Sequence, residues 1–150
     1  MPVSGSVLLI DVTFRPSTIR DIEWLVELRA EVLRGDLERL GRFDPVQVRQ
    51  RMRDAFAPES TRIIVFEGDD AGSVTVRPEA DARWIEHFYL RSALHGKGIG
   101  TTVIRCVLAD PDPRPFRLNV LQGSAARRLY ERHGFVVETE DEIDVFMMRP

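Results

Sequence analysis

Three glycines stand within five positions near the middle of the chain, in the segment His-Gly-Lys-Gly-Ile-Gly at residues 95–100. The segment falls between a predicted strand and the start of a predicted helix. Free backbone N–H groups and the positive end of the helix dipole favour an anion at such a helix start. Glycines there let a phosphate approach the main chain closely, although glycine also serves any tight turn. The pattern therefore indicates a site for a phosphate or another anion.

Two common phosphate-binding motifs do not fit these residues. A Walker loop requires Ser or Thr directly after its lysine, but Gly98 follows Lys97. The dinucleotide fingerprint requires its third glycine where Thr101 stands, and the strands predicted before the turn form a meander instead of a parallel βαβ unit. Both nucleotide motifs are excluded by the residues themselves.

The composition bounds the size and class of the protein. With 150 residues, 43% hydrophobic and 30% charged, the chain is predicted to form a single domain over residues 1–150, with residues 1–5 flexible. Its 21 basic and 24 acidic residues give a net charge of -3, which offers no electrostatic basis for a nucleic-acid partner. No apolar run is long enough to span a bilayer, so we expect no membrane partner and a cytoplasmic location. The single cysteine, Cys106, lies in an apolar stretch and is predicted to pack in the core.

The hydrophobic period changes several times along the chain, which predicts an α+β unit. Alternation with a period of two predicts strands over residues 7–15, 61–67, 73–77, 83–91, 116–121, 135–139 and 145–148. Helical spacing predicts helices over residues 19–34, after Asp44 and Pro45, and over residues 101–109 and 124–133. Asp44 is predicted to cap the second helix, with Pro45 in its first turn. Short turns between consecutive strands predict an antiparallel meander.

Two segments in the right order resemble one enzyme family. His95-x-x-Gly98-x-Gly100 fits the Gln/Arg-x-x-Gly-x-Gly/Ala pyrophosphate loop of the GNAT acetyltransferases, except at its first position. Residues 126–135, Ala-Arg-Arg-Leu-Tyr-Glu-Arg-His-Gly-Phe, are similar to the Ala-x-x-Leu-Tyr-Glu-x-x-Gly-Phe segment of that family. Together with the strands on either side, the resemblance covers roughly residues 12–148. It implies a GNAT-like fold with a central, mostly antiparallel, twisted sheet of six to seven strands flanked by about four helices.

The resemblance implies acetyl-coenzyme A as the cofactor and assigns residues to it. Backbone groups of the glycine turn would hold the pyrophosphate, with Lys97 and one of Arg127 or Arg128 adding positive charge, of which Arg128 is included in the set below. The main chain of Phe88 and Leu90 would pair with the pantetheine amides, as a peptide adds to a sheet edge. No metal ligand is implied. The predicted cofactor-binding set is Phe88, Leu90, His95, Gly96, Lys97, Gly98, Gly100, Thr101, Gly123, Ala126 and Arg128.

Two residues depart from the family pattern. His95 replaces the usual Gln or Arg of the loop, and Gly123 stands where the family often has an Asn that meets the pantetheine arm. Because backbone groups do most of the phosphate binding, the cofactor and the fold are expected to be unaffected. The two departures are expected to affect only the local contacts that these residues make with the cofactor.

The resemblance also assigns the catalytic residues. Tyr130 matches a tyrosine that lies beside the coenzyme sulfur in many family members and is predicted to protonate the departing thiolate. Glu86, two residues before Phe88, would share its face of a regular strand and is predicted to be the general base. Residues 86–90 are similar to the Glu-containing strand of the polyamine acetyltransferases. In a regular strand His87 would point to the opposite face, where a structural role is expected.

These assignments predict an N-acetyltransferase that transfers the acetyl group of acetyl-coenzyme A directly to an amine of a small molecule or a protein. A non-catalytic acyl-coenzyme A sensor of the same fold is the alternative, suggested by His95 and Gly123. A third possible class is an interaction domain that uses the arginine-bearing helix after Asp44. The sequence leaves open whether the protein forms a homodimer. A cationic acceptor is predicted because an acidic segment would border its entrance, formed by Glu138, Glu140, Asp141, Glu142 and Asp144.

Overall fold

A seven-stranded sheet runs through residues 11–150, the part of the chain that this computed structural model describes. Its spatial order is β1-β2-β3-β4-β5-β7-β6. The strands are β1 (Val12–Pro16), β2 (Thr61–Phe66), β3 (Asp69–Pro78), β4 (Arg83–Leu90), β5 (Phe116–Leu121), β6 (Val136–Glu140) and β7 (Asp144–Arg149). All neighbouring pairs are antiparallel except β4 and β5, which run parallel. The predicted mostly antiparallel sheet is confirmed. The predictions for residues 1–5 and 7–10 lie outside the described residues.

Four α-helices accompany the sheet within residues 11–150. They are α1 (Ile22–Arg39), α2 (Pro45–Ala55), α3 (Ile99–Leu108) and α4 (Ala126–Arg132). The carboxylate of Asp44 accepts hydrogen bonds from the backbone N–H groups of Val46 and Gln47, both at 2.9 Å, and Pro45 opens α2. The predicted cap is thereby confirmed. The helix after the glycine turn begins at Ile99, two residues earlier than predicted, so that Gly100 lies inside its first turn.

Two hydrophobic clusters pack on opposite faces of the sheet. One joins the sheet to α3 and α4 and includes Val103 and Ile104, both fully buried. The other joins the sheet to α1 and α2 and includes Leu25 and Met52, also fully buried. The sheet is therefore a middle layer with a pair of helices on each face, as the amphipathic spacing of the helices requires.

Cys106 does not pack in the core, contrary to the prediction. The buried side chains of α3 are Ile99, Val103, Ile104 and Val107, whereas Cys106 is exposed. An apolar sequence around a residue does not bury it when the residue lies beside the stripe that faces the sheet.

The parallel pair β4–β5 is joined only at its beginning. Its register consists of Arg83 with Phe116 and Trp84 with Arg117, and from Ile85 onward β4 has no partner on the β5 side among the described strands. The two strands therefore separate toward their carboxyl ends. This separation places a cleft in the middle of the sheet, where the glycine turn follows β4.

Candidate active site

A large cleft of about 1630 Å³ opens where β4 and β5 separate. Its walls come from α1, α2, β4, the glycine turn, β5, the start of α4 and the β6–β7 turn. Sites for small ligands occupy roughly 300–1,000 Å³, so the cleft has room for a long ligand together with a second molecule.

The glycine turn supplies free backbone donors at one end of this cleft. Gly96 and Gly98 have positive φ angles of 77° and 81°, a conformation that side chains other than glycine rarely adopt. Gly98 caps α3 without a side-chain hydrogen bond. Within residues 11–150 no group accepts from the N–H groups of Ile99, Gly100 and Thr101. These donors and the helix dipole suit a phosphate group.

His95 contacts the strand before the turn. Its Nε2 lies 2.9 Å from the carbonyl oxygen of Leu90 and donates to it. That carbonyl belongs to one of the two residues predicted to pair with the pantetheine amides. His95 therefore donates to a carbonyl of β4 close to where a ligand main chain would bind.

Gly123 lies under an arginine of α1. Its φ angle is 78°, and a β-carbon at this position would lie 2.8 Å from the guanidinium of Arg39. Arg39 Nη2 donates to the carbonyl oxygen of Gln122 at 2.6 Å and pairs with Asp36 at 2.8 Å. A side chain at position 123 would need the Arg39 guanidinium to move, and the positive φ angle favours glycine there.

Most of the predicted cofactor residues line the cleft. Two basic residues, Lys97 and Arg128, lie outside its surface. The lining members of the predicted set are Phe88, Leu90, His95, Gly96, Gly98, Gly100, Thr101, Gly123 and Ala126.

Tyr130 places a buried hydroxyl against the cleft. Its side chain is 5% exposed, and its ring packs edge to face on Phe135, with centroids 5.5 Å apart. No described residue makes a hydrogen bond to the hydroxyl. Burial, and to a smaller extent the nearby phenol of Tyr89, raises the pKa of Tyr130 well above its ordinary value. The group is therefore a protonated phenol with its donor unused.

A β-bulge in β4 contradicts the predicted orientation of Glu86. In the register Thr75 pairs with Glu86 and Ser73 with Tyr89, so two residues of β4 oppose one of β3. The bulge reverses the alternation of faces. Phe88 packs on the cluster of α3 and α4, whereas Glu86 projects to the other face beside Thr75. The sequence argument that put Glu86 and Phe88 on one face is wrong, because it assumed a regular strand.

Glu86 still lines the cleft, but its carboxylate is occupied. Its Oε1 and Oε2 accept from Nε and Nη2 of Arg77 at 2.9 and 3.0 Å. The two residues form a bidentate ion pair. The role of Glu86 as general base stays a prediction. To accept a proton, its carboxylate would have to weaken its ion pair with Arg77.

The bulge also turns His87 toward the α1–α2 side, not away from Glu86. His87 has a φ of 46°, and its Nδ1 lies 3.3 Å from the hydroxyl of Tyr89. Nε of Arg29, from α1, donates to the same hydroxyl at 3.1 Å. Burial, followed by the charge of Arg29, lowers the pKa of His87. The sequence analysis did not identify Arg29 and Tyr89, because neither a helical nor a strand pattern shows which face of the element borders a cleft.

Comparison with protein-family models decides the family. The model described as an acetyltransferase (GNAT) domain matches residues 59–137, more than half of the chain. The chain belongs to the GNAT acetyltransferase family. The matched range contains the strand with the bulge, the glycine turn and Tyr130, so the family assignment rests on the same elements as the cleft. A search of curated proteins gave no match.

Solved acetyltransferase structures share the fold of this chain at low sequence identity. The PaiA N-acetyltransferase from Thermoplasma acidophilum, in complex with coenzyme A, aligns with a TM-score of 0.73 and 20% identity, over 93% of this chain and 98% of the other. An acetyltransferase from Thermus thermophilus gives 0.70 and 15%, over 93% and 96%. An N-acetyltransferase from Staphylococcus aureus gives 0.69 and 15%, over 91% and 98%. These likenesses confirm the GNAT-like fold.

Two further properties bear on the classes of function. Among residues 11–150 no helix has the length and apolar character that a membrane crossing requires. In the same part of the chain no group of three or more His, Cys, Asp or Glu side chains is arranged to hold a metal ion.

Proposed function

We propose that this GNAT protein is an N-acetyltransferase that uses acetyl-coenzyme A and transfers the acetyl group directly to an amine. One observation carries the proposal: the cleft joins unpaired N–H donors at the start of α3 to the unpaired, buried hydroxyl of Tyr130. The first end suits a pyrophosphate and the second suits a developing thiolate. Membership of the family and a relative solved with coenzyme A support the same ligand.

The residues of the cleft fit the parts of the coenzyme in order. Backbone groups of residues 96–101 would hold the pyrophosphate, and the edge of β4 at Phe88 and Leu90, where the Leu90 carbonyl also accepts from His95, would bind the pantetheine amides. When bound there, the coenzyme would supply an activated acetyl thioester. Tyr130 would stand at the inner end of this path and give its proton to the sulfur as the thiolate forms.

The acceptor amine would enter between the helices α1 and α2 and the β6–β7 turn. Both walls belong to the cleft, and both carry charges: Arg42 and Arg51 on the helix side, Glu142 and Asp144 on the turn side. An amine placed between them would attack the thioester directly, without a covalent enzyme intermediate. A cytoplasmic location remains part of the proposal.

An acceptor screen with detection of free thiol tests the proposal. Purified protein with acetyl-coenzyme A is expected to release coenzyme A thiol when a suitable amine is added, and the acetylated nitrogen is identified by mass spectrometry. Coenzyme A affinity is measured in parallel by titration calorimetry. Gly98→Val should lose binding, because φ near 81° disfavours valine and a side chain would fill the anion site.

The controls separate enzyme from sensor. Gly41→Val carries the same change at a glycine with a φ of 70° and no atom within 4 Å of its added β-carbon, so it reports the backbone cost alone. Tight coenzyme binding without thiol release for any amine would favour the non-catalytic sensor. No binding at all, in a folded protein, would overturn the proposed function.

A further inference from the structure

Three side chains from two elements meet at one hydroxyl on the acceptor side of the cleft. The hydroxyl oxygen of Tyr89 lies 3.1 Å from Nε of Arg29 and 3.3 Å from Nδ1 of His87. The rings of His87 and Tyr89 are arranged edge to face, with centroids 5.9 Å apart. All three residues line the cleft, and neither sequence patterns nor the family match assigns a role to this group.

The directions of these hydrogen bonds follow from the chemistry of the three groups. A guanidinium can only donate, so Arg29 occupies one lone pair of the Tyr89 oxygen. Tyr89 is 9% exposed, and the other described group in reach of its proton is Nδ1 of His87. Donation from Tyr89 to Nδ1 would make His87 the neutral tautomer with its proton on Nε2. The second lone pair of Tyr89 is left for an incoming N–H donor.

The backbone is strained where it holds this arrangement. His87 is a non-glycine residue with a φ of 46°, a left-handed conformation that side chains other than glycine rarely adopt. Its carbonyl oxygen is fixed by Ser73 Oγ, which is fully buried and donates at 2.8 Å. Strained residues that the surrounding structure over-determines cluster at functional sites.

We propose that Tyr89 and His87 form the relay that takes the proton from the acceptor amine. The inference rests on the proposed function. The acceptor ammonium gives an N–H proton to the Tyr89 oxygen while the hydroxyl proton of Tyr89 passes to Nδ1 of His87. The products are a neutral amine, an unchanged tyrosine and an imidazolium. Of the two protons that leave the nitrogen during amide formation, this one goes to solvent from His87 and the other reaches the coenzyme sulfur through Tyr130.

The charges around His87 set the pH at which the relay works. Arg29 faces it from α1 and disfavours the imidazolium, whereas Glu86, paired with Arg77 of β3, favours it. Burial and Arg29 outweigh Glu86, so the pKa of His87 lies below its usual range. The imidazole is then neutral at physiological pH and able to accept a proton. Activity falls as the pH drops and His87 becomes protonated, because a charged His87 no longer accepts from Tyr89.

The experiment compares an acceptor that must lose a proton before it can attack the thioester with an acceptor that is already neutral. One is an alkyl ammonium found in the acceptor screen, and the other is a hydroxylamine or aromatic amine of similar size that is neutral at the assay pH. The variants are His87→Asn, which tolerates a positive φ but cannot take the proton, and Tyr89→Phe. His133→Asn is the matched control, since His133 lies outside the cleft and its Nδ1 donates to the carbonyl oxygen of Leu129.

Loss confined to the ammonium acceptor is the expected result. For both variants kcat/KM should fall about 100-fold with the ammonium and by less than about threefold with the neutral amine, and the acid limb of the pH profile should disappear in His87→Asn. His133→Asn should match the wild type. Equal losses with both acceptors at unchanged coenzyme affinity would indicate a structural role and overturn the relay, as would a wild-type rate in either variant.

A measurement without turnover keeps the inference separate from the proposed function. Nitrogen-15 NMR of the histidine side chains should show His87 protonated on Nε2 and unprotonated at Nδ1 near neutral pH. The preference for this tautomer should weaken in Tyr89→Phe. A wild-type His87 protonated at Nδ1 would overturn the relay even in an active enzyme. Absence of transfer to any amine, with the expected tautomer present, would count against the proposed function instead.

Discussion

Tyr130 is held in place by packing, since its hydroxyl has no hydrogen-bond partner among the described residues. The ring lies against Phe135, and Tyr130 lines the cleft. A buried donor without a partner is costly in a folded protein, about 1–3 kcal/mol, unless a ligand or water satisfies it. A ligand or solvent in the cleft can supply the partner that no described residue provides.

Tyr130→Phe should lower kcat about 100-fold with little change in coenzyme A affinity, because the hydroxyl acts mainly on the forming thiolate. The phenylalanine ring keeps the contact with Phe135, and removal of an unpaired hydroxyl should not lower the free energy of unfolding. Steady-state kinetics, calorimetric titration and thermal denaturation check the three quantities. Parallel losses of activity and stability would point to a packing role for the tyrosine.

Asp21 shows how one residue makes stability depend on pH. Its carboxylate accepts from Arg15 at 2.8 Å, from Trp24 Nε1 at 2.8 Å and from the N–H of Thr18 at 2.9 Å, and it thereby ties β1 to the start of α1. These bonds, led by that of Arg15, lower the pKa of Asp21 from 3.8 to about 2. The ionised form is thus favoured by the fold.

The stability that Asp21 provides is present above its ordinary pKa and is lost as the pH falls through the lowered one. Asp21→Asn should reduce the free energy of unfolding by about 2 kcal/mol at pH 7, and the difference from the wild type should shrink between about pH 4 and pH 2. Urea denaturation across this range measures it. A constant difference at every pH would show that the carboxylate charge contributes nothing.

At the scale of elements, the bulge in β4 is matched by a glycine in β3. A β-carbon at Gly72 would collide with the carbonyl group of Tyr89. Gly72 pairs with Leu90 in the register, directly beside the bulged residues. The close approach of the two backbones at this point shapes the strand that carries Tyr89 and His87.

Gly72→Ala should destabilise the protein by about 2 kcal/mol, because the methyl group overlaps backbone atoms that cannot move independently. It should also impair amine transfer by displacing β4. Gly35→Ala is the matched control: no atom lies within 4 Å of the added β-carbon, and Gly35 lies within α1. There the change should stabilise by about 0.5–1 kcal/mol. Chemical denaturation of both variants tests the pair, and equal effects would rule out the close contact as the cause.

At the scale of the whole molecule, the charges of the cleft differ from the sequence expectation. Glu138 is ion-paired with Arg117 and lies outside the cleft, whereas Asp141, Glu142 and Asp144 line it. Asp144 accepts from the neutral amide of Asn119, which leaves its charge in place. The attraction of a cationic acceptor would therefore come from these three carboxylates, of which Glu142 is the one that no described residue holds by a hydrogen bond.

Glu142→Gln should raise KM for a cationic amine about threefold at low salt, the scale of one exposed charge interaction, and leave kcat unchanged. Added salt should raise the wild-type KM and reduce the difference between the two proteins. Glu138→Gln is the control, because its partner is Arg117 and it does not face the cleft. If a cationic and a neutral amine of similar size had equal KM values in all three proteins, charge would not determine the choice of acceptor, and the shape of the cleft would.

Local sequence patterns were enough to predict the elements, the glycine turn and the family. Hydrophobic period depends only on which face of an element is buried, so it located seven strands and four helices, and Asp44 marked the start of α2 through local backbone bonding. The tertiary structure alone decided which side chains meet in the cleft. The bulge that moves Glu86 and His87 arises from a two-against-one register with β3. Arg29 reaches Tyr89 across 60 residues of chain, and no local pattern encodes a contact at that separation.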